Sequence, residues 1–300
     1  MNSMFFNAIA FNSNISEWSV GKVQDMSSMF ENAKAFNQDL SKWDVTNVTN
    51  MRRMFNRAGV FTSDLSKWNV GSVTNMTELF WNAAEFESDL SNWNVGNVEN
   101  MEFMFHGAEK FNSDLSKWNV SKAKNMNRMF VGARKFNQNL ESWTIPTDTK
   151  LGGIFSFSGM DCENYSKILK GWADNPNTGK EIHFYSTASY GDSAKPYRQK
   201  LIDEKDWKIY SDSYDSSCTA DLATETVAQR PQFFIIKPVK EELHIQGLDG
   251  IKSIEIYSAN GSLVKTLNAT QRNVSNLTKG LYILKINTQN GTYTEKIIKD

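Results

Sequence analysis

Residues 36–55 read FNQDLSKWDVTNVTNMRRMF, and residues 61–80 read FTSDLSKWNVGSVTNMTELF. The second stretch keeps the phenylalanine, leucine, tryptophan and valine positions of the first, together with its first aspartate and its first methionine. The pattern recurs every 25 residues from residue 1 to about residue 155, without an insertion. Self-similarity at a fixed period of this kind is the sequence signature of a repeat architecture, so it decides how this half of the chain folds.

Large apolar residues occupy fixed columns of the repeat. A tryptophan column contains Trp18, Trp43, Trp68, Trp93, Trp118 and Trp143. Two phenylalanine columns, a methionine column and an alanine column keep the same period. A stripe of apolar residues at the structural period is explained by core packing, so these columns predict a buried interior and not a ligand site.

A single unit predicts a strand followed by a short helix. Leu40–Val45 places apolar residues at the first, fourth and sixth positions, as in a leucine-rich-repeat strand. Met51, Met54, Phe55 and Ala58 are spaced as on one face of a helix, with Thr49 or Asn50 as its N-cap. Because one unit cannot bury its own apolar face, we expect residues 1–157 to form an α/β repeat solenoid, leucine-rich-repeat-like, with strands about 4.8 Å apart.

The period ends near residue 157, and residues 158–218 predict an α+β cap that closes the open end of the repeats. Helices are expected at 162–171 and 197–202, and strands at 182–184 and 207–210. Cys162 and Cys218, the two cysteines of the chain, bracket this segment. In an oxidising compartment they predict a disulfide, and free buried thiols are the alternative.

The last part of the chain is rich in predicted strands. Residues 219–232 are polar and indicate a linker, and residues 233–300 contain about seven short strand candidates. Asn260-Gly261 and Asn290-Gly291 are typical hairpin turns. We therefore expect a small all-β sandwich in this tail.

Composition and motifs argue against catalysis and against nucleic-acid binding. The net charge of −1 supplies no basic excess for phosphate contacts, and no run of 18 apolar residues is present to span a bilayer. The three histidines, His106, His183 and His244, lie far apart in sequence and near no catalytic or metal motif. We expect no enzymatic activity, no cofactor and no resident metal.

An aspartate column just before the predicted strand leaves one alternative open. It consists of Asp39, Asp64, Asp89 and Asp114. Carboxylates in a row could bind calcium, but the spacing gives one carboxylate per unit and no calcium loop. Hydrogen bonds to nearby backbone amides are the favoured interpretation.

Two surfaces are candidates for binding. Trp81, Phe103 and His106 occupy outward positions where other units carry polar residues, so we expect them to lie together as an exposed aromatic patch. Contact with the cap or a neighbouring chain, or sequence drift, is the alternative. The other candidate is the outward face of the predicted strands, with Lys42, Asp44, Lys67, Asn69, Asn94, Lys117 and Asn119.

Residues 36–51, followed by Met54 and Phe55, resemble the repeats of BspA-like bacterial surface proteins over residues 1 to about 157. The resemblance implies a leucine-rich-repeat-like scaffold that is displayed on bacterial surfaces. It also implies adhesion or partner binding and no common enzymatic activity.

The tail resembles the type A C-terminal sorting domain of the type IX secretion system. The matching stretches are IYSANG at 256–261, LTKGLY at 277–282 and KIIK at 296–299. The resemblance implies export across the outer membrane of a Bacteroidota cell, with surface attachment or release. An ordinary fibronectin-like module is the alternative.

The start of the chain does not resemble a signal peptide. Residues 1–6 align in register with residues 26–31, so we expect an upstream region with further repeats and a signal peptide. Altogether the sequence predicts a secreted or surface-anchored protein that binds a protein or glycan. A non-catalytic portion of a larger secreted enzyme and a structural spacer of a surface layer remain alternatives.

Overall fold

The computed structural model describes residues 1–220, 234–235, 239–246, 250–259, 261–288 and 292–300. The chain divides into two compact units, Met1–Leu222 and Ala223–Asp300. Most of the predicted linker, residues 221–232, lies outside the described residues, and so do Phe233 and Ile236 of one strand candidate. The boundaries predicted between the repeats, the cap and the tail stay predictions.

The repeats are built from turns, not from strands and helices. Residues 1–160 contain neither a helix nor a strand of two or more residues. Successive units meet in single-residue parallel bridges, which run through Asp25, Asn50, Asn75, Asn100, Asn125 and Lys150. The predicted α/β repeat solenoid of leucine-rich-repeat-like units is therefore wrong.

The predicted helix fails because alternate backbone amides point in different directions. Met54 and Ala58 donate to the carbonyl three residues earlier, at 3.1 Å each. Arg53, by contrast, donates to Thr77 of the next unit at 2.9 Å. Arg53 and Arg57 have φ angles of 59° and 60°, a left-handed conformation that a right-handed helix excludes. The same apolar spacing thus fits a chain of tight turns that bonds to its neighbour.

The predicted strand is also a turn. The amide of Trp43 donates to the carbonyl of Leu40 at 3.0 Å, so the backbone bends within the stretch expected to be extended. Asp39 Oδ1 accepts from the amide of Ser41 at 2.8 Å and helps to form the bend. Trp43 remains buried because the bend, and not strand alternation, directs its side chain inward.

The apolar columns form the core of the first unit. Phe30, Phe55, Phe80, Phe105 and Phe130 stack with ring centroids 5.6 Å apart at each step. Each ring is fully buried. Burial of one such side chain stabilises a fold by about 1.5–3 kcal/mol, and the stacked geometry adds to that value.

Each buried tryptophan of the repeats also has a hydrogen-bond partner. Trp68 Nε1, for example, donates to the carbonyl of Leu40 at 2.9 Å, and the equivalent bond recurs along the column to Trp143. After the repeats, Trp172 Nε1 donates to Leu140 at 3.0 Å. The segment that follows the repeats therefore continues the bonding pattern of the tryptophan column.

That segment contains two helices and four short strands. The helices are α1, Cys162–Asp174, and α2, Lys195–Lys205, preceded by a 3₁₀ turn at Asp192–Ala194. The strands are β1, His183–Tyr185, β2, Ser189–Tyr190, β3, Lys208–Tyr210, and β4, Ser213–Tyr214. β1 pairs with β3 and β2 with β4, both in parallel. Neither α1 nor α2, the helices of the described residues, is long and apolar enough to span a membrane.

A buried ion pair lies between α2 and β4. Arg198 donates to both carboxylate oxygens of Asp212, at 2.8 Å each. Tyr165 of α1 donates its hydroxyl to Asp212 Oδ2 at 3.1 Å. Burial, followed by the negative charge of Asp212, raises the pKa of Tyr165 well above its ordinary value. Through Asp212, this cluster connects both α1 and α2 to the chain immediately before β4.

The second compact unit contains the remaining strands. They are β5, Phe234–Ile235, β6, Ile245–Gln246, β7, Ile251–Ser258, β8, Leu263–Asn268, β9, Gly280–Thr288, and β10, Thr292–Lys299. Four of them form an antiparallel sheet in the order β10-β9-β7-β8, and β5 pairs with β6. Within the described residues this arrangement replaces the predicted seven-stranded sandwich. Of the predicted turns, Asn260 and Asn290-Gly291 lie outside the described residues.

Candidate functional site

Trp81, Phe103 and His106 come together on the surface of the repeats, and we call these three residues the aromatic patch. The rings of Trp81 and Phe103 stack with centroids 5.2 Å apart and planes 11° from parallel. The His106 ring lies 5.4 Å from Trp81 and 5.7 Å from Phe103. All three side chains are half-buried, so part of each ring remains available to a ligand.

The repeat register explains why these side chains meet. Trp81 and Phe103 are 22 residues apart, and the equivalent pair one unit earlier is Asn56 and Glu78. In that earlier unit Asn56 Nδ2 donates to Glu78 Oε2 at 3.0 Å, and Arg53 binds both oxygens of Glu78. A polar contact in one unit is therefore replaced by an aromatic contact in the next.

Phe103 of the aromatic patch has a left-handed backbone conformation. Phe103 has a φ of 55°, which is rare for a large side chain. The equivalent positions of the neighbouring units, Glu78 and Arg128, have φ angles of 56° and 55°. The turn geometry of the repeat imposes this conformation, which costs on the order of 1–3 kcal/mol at each such residue.

His106 is an uncharged member of the patch at neutral pH. Burial lowers the pKa of its imidazole below the ordinary value of 6.5, and the positive charge of Arg128 lowers it further. Nδ1 of His106 is buried and has no hydrogen-bond partner in the described part of the protein. An unpartnered buried polar atom costs about 1–3 kcal/mol, so this nitrogen is a candidate contact for a ligand.

A cavity of about 730 Å³ adjoins the patch and includes Phe103 and His106 in its wall. Arg128, Ser156, Phe157 and Tyr185 also line it. The phenyl ring of Phe157 is 77% exposed, so a large apolar surface faces solvent at the rim. We call this space the patch cavity.

Arg128, Ser156, Phe157 and Tyr185 were not predicted as site residues from the sequence. Arg128 follows Phe103 by one repeat, so the register could have placed it next to the patch. Phe157 replaces the polar residue or glycine that earlier units carry at the same position. This departure from the repeat could also have been recognised in the sequence. Tyr185 belongs to β1, outside the repeats, and only the tertiary structure brings it to the cavity.

The residues predicted to line a strand face are exposed, but no sheet is present there. Lys42, Lys67 and Lys117 lie in turns, and the irregular segments that follow these and equivalent turns contain Asp44, Asn69, Asn94 and Asn119. Asp44, Asn69 and Asn94 each accept a hydrogen bond from the backbone amide two residues later, at 3.1–3.2 Å. These side chains stabilise their own turns, and their role as ligand contacts stays a prediction.

The side chains of the aspartate column also accept hydrogen bonds from the local backbone. Asp64 Oδ1 accepts from the amide of Ser66 at 2.9 Å, and Asp39, Asp89 and Asp114 make the equivalent bond. These backbone bonds hold the pKa of Asp39, Asp64 and Asp89 below the ordinary value. Across the described ranges of the chain, no group of three or more His, Cys, Asp or Glu residues could hold a metal ion.

Cys162 and Cys218 are joined by a disulfide, which closes a loop of 56 residues. The bond connects the start of α1 with the segment after β4. The two remaining histidines, His183 and His244, are exposed, and neither belongs to the patch.

Residues 1–83 and 60–172 match the model of a family described as Mycoplasma protein of unknown function, DUF285. The two matches together span residues 1–172 of the 300, more than half of the chain. Residues 237–300 match the model of the secretion system C-terminal sorting domain. No curated protein matches the chain.

Proposed function

Since the chain belongs to the family described as Mycoplasma protein of unknown function, DUF285, and carries a secretion sorting domain, we propose that it binds a ligand outside the cell without catalysing a reaction. The type IX sorting domain makes it a secreted or surface protein that interacts with the export machinery. Adhesion in the manner of BspA-like proteins is the role we propose for the repeats.

The aromatic patch carries this proposal. Trp81 and Phe103 place two large rings where the preceding pair of units has a hydrogen-bonded amide and carboxylate. Clustered aromatic side chains that remain accessible are typical of binding surfaces, and tryptophan is enriched among the residues that contribute most to affinity. Core packing does not require these rings, because the neighbouring units fold with polar residues in their place.

Two polar side chains beside the patch have atoms without a hydrogen-bond partner. His106 and Ser156 line the same cavity, and His106 Nδ1 and Ser156 Oγ each lack a hydrogen-bond partner within the described residues. They are therefore not bonded to each other, as an activated serine would require. Such atoms can form hydrogen bonds with a ligand.

A binding screen tests the proposal. We would compare the protein with the double variant Trp81→Ala, Phe103→Ala on arrays of glycans and extracellular-matrix proteins. Phe6→Ala is the matched control, because Phe6 occupies the position of Trp81 three units earlier and is 49% exposed. We expect the double variant to lose at least about tenfold in affinity for the ligand found, and the control to change less than about twofold.

Two results would contradict the proposal. Unchanged affinity of the double variant would exclude the aromatic patch as the binding surface. Failure of the unaltered protein to bind any glycan or matrix protein would favour a structural spacer. Circular dichroism spectra and melting curves of the variants would show that lost binding does not reflect lost folding.

A further inference from the structure

The patch cavity contains one cation without an anionic partner. The guanidinium carbon of Arg128 lies 5.6 Å from the centre of the Phe103 ring, a cation–π contact. Among the described residues no carboxylate lies within ion-pair distance of Arg128. By contrast, Arg53, at the same position three units earlier, is paired with Glu78. The fork of an unpaired guanidinium fits the two oxygens of a carboxylate.

The same cavity contains hydrogen-bonding groups that are not used within the protein. Ser156 is only 6% exposed, and its Oγ has no partner among the described residues. Nδ1 of His106 likewise is buried and has no hydrogen-bond partner among the described residues. Native proteins rarely leave such atoms unpaired, so two of them in one cavity indicate a ligand with hydroxyl or similar groups.

Two glycines keep the cavity open. A Cβ atom on Gly153 would lie 3.3 Å from Arg128 Cγ and 3.5 Å from Ser156 Oγ. A Cβ atom on Gly152 would lie 3.0 Å from Asn127 Oδ1. Earlier units carry side chains at both positions, for example Glu102 and Phe103. The missing side chains leave room beside Arg128 and Ser156, in a volume usual for small-ligand sites.

We propose that the patch cavity binds a carboxylated sugar residue, such as a uronic or sialic acid unit of a surface glycan. Arg128 binds the carboxylate, and Ser156 and His106 bind hydroxyl groups. The apolar face of the sugar ring packs against Phe103 and Phe157. This inference rests on the proposed binding function and specifies its ligand class.

Other anions and peptides fit the cavity less well. Glu102 also lines the cavity, and its carboxylate would repel a phosphate dianion more strongly than a monoanionic sugar acid. An extended peptide that binds by strand addition needs a free strand edge. β1, the strand that brings Tyr185 to the cavity, is bonded to β3 on one side and to Leu151 on the other. Recognition must therefore come from side chains.

Calorimetric titration with a matched set of sugars tests the inference. The probes are lactose, 3′-sialyllactose and 3′-sulfolactose, with tetragalacturonate as the second source of sugar carboxylates. We expect 3′-sialyllactose or tetragalacturonate to bind at least about tenfold more tightly than lactose. Arg128→Gln should abolish this preference, and Ser156→Ala should weaken binding about threefold. The control Arg52→Gln, an exposed arginine three units earlier, should change nothing.

The outcomes separate this inference from the proposed function. Equal binding of lactose and both carboxylated probes, tighter binding of 3′-sulfolactose, or full affinity of Arg128→Gln would overturn the sugar-acid assignment. If no sugar binds but another ligand depends on Trp81 and Phe103, the proposed function holds and this inference fails. If neither sugars nor any other ligand binds, both fail.

Discussion

The indole ring of Trp81 and the phenyl ring of Phe103 stack at 5.2 Å, in the place where Asn56 and Glu78 of the preceding units share a hydrogen bond of 3.0 Å. The backbone conformation is the same at both places, because Glu78 and Phe103 have φ angles of 56° and 55°. One scaffold position thus accepts either a polar or an aromatic pair. The chemistry of this surface can therefore vary without a change of fold.

The stacked pair should show measurable coupling. In a double-mutant cycle of Trp81→Ala and Phe103→Ala, we expect a coupling free energy of unfolding of about 0.5–1.5 kcal/mol, as for other aromatic pairs. Urea denaturation of the four proteins gives this value. The control cycle of Trp81→Ala with Phe6→Ala should be additive within about 0.5 kcal/mol, because these residues are three units apart. Additivity in both cycles would show that the stacking contributes nothing.

The disulfide should stabilise the first compact unit. It closes a loop of 56 residues, and cross-links of this span restrict the unfolded chain enough to contribute about 2–4 kcal/mol. We expect the double variant Cys162→Ser, Cys218→Ser to lose this amount in urea denaturation monitored by tryptophan fluorescence. Addition of dithiothreitol should destabilise the original protein and leave the variant unchanged. A reductant effect of equal size on both proteins would contradict the assignment.

The Arg198–Asp212 pair should be highly sensitive to loss of one partner. The Asp212 side chain is 1% exposed, so Arg198→Met would leave a buried carboxylate without its counter-charge. We expect a loss of about 3–5 kcal/mol in the free energy of unfolding, measured by chemical denaturation.

An exposed ion pair provides the control for that experiment. Lys195 and Asp192 are 48% and 71% exposed, so Lys195→Met should lower the free energy of unfolding far less than Arg198→Met does. Similar losses from Arg198→Met and Lys195→Met would mean that burial of Asp212 does not matter for stability.

His106 should make the repeats less stable in mild acid. Its pKa in the folded state is lowered below 6.5, first by burial and then by Arg128. As the pH falls through the unfolded value of about 6.5, the unfolded state binds the proton first, and stability decreases. Melting temperatures measured from pH 8 to about pH 5 should therefore fall more for the original protein than for His106→Asn. Parallel curves would show that the imidazole is equally free to protonate in both states.

The sequence was sufficient to place the aromatic patch but not the cavity beside it. Trp81 and Phe103 are 22 residues apart, the separation that also brings Asn56 and Glu78 together one unit earlier, so the fixed period places the two rings in contact. Tyr185 reaches the cavity only because the last repeat and β1 pack together through Leu151 and Phe184. That packing crosses the end of the repeat, where the period no longer gives information.

The prediction of helices and strands in the repeats was wrong for a physical reason. Met51, Met54, Phe55 and Ala58 are spaced equally well for a helix and for a series of three-residue turns. Both arrangements place these apolar side chains on one face, so the hydrophobic pattern cannot separate them. The direction of the intervening amides separates them, and these amides bond to the next unit.

The sequence by itself determined the 25-residue period, the residues of the core and the outward position of the patch, because burial of apolar side chains follows their spacing along the chain. The tertiary structure alone decided that the backbone forms turns instead of helices and strands, and that Tyr185 of β1 reaches the cavity beside Arg128. Hydrogen bonds between units and the meeting of distant segments are pairings across space, and spacing along one chain does not specify them.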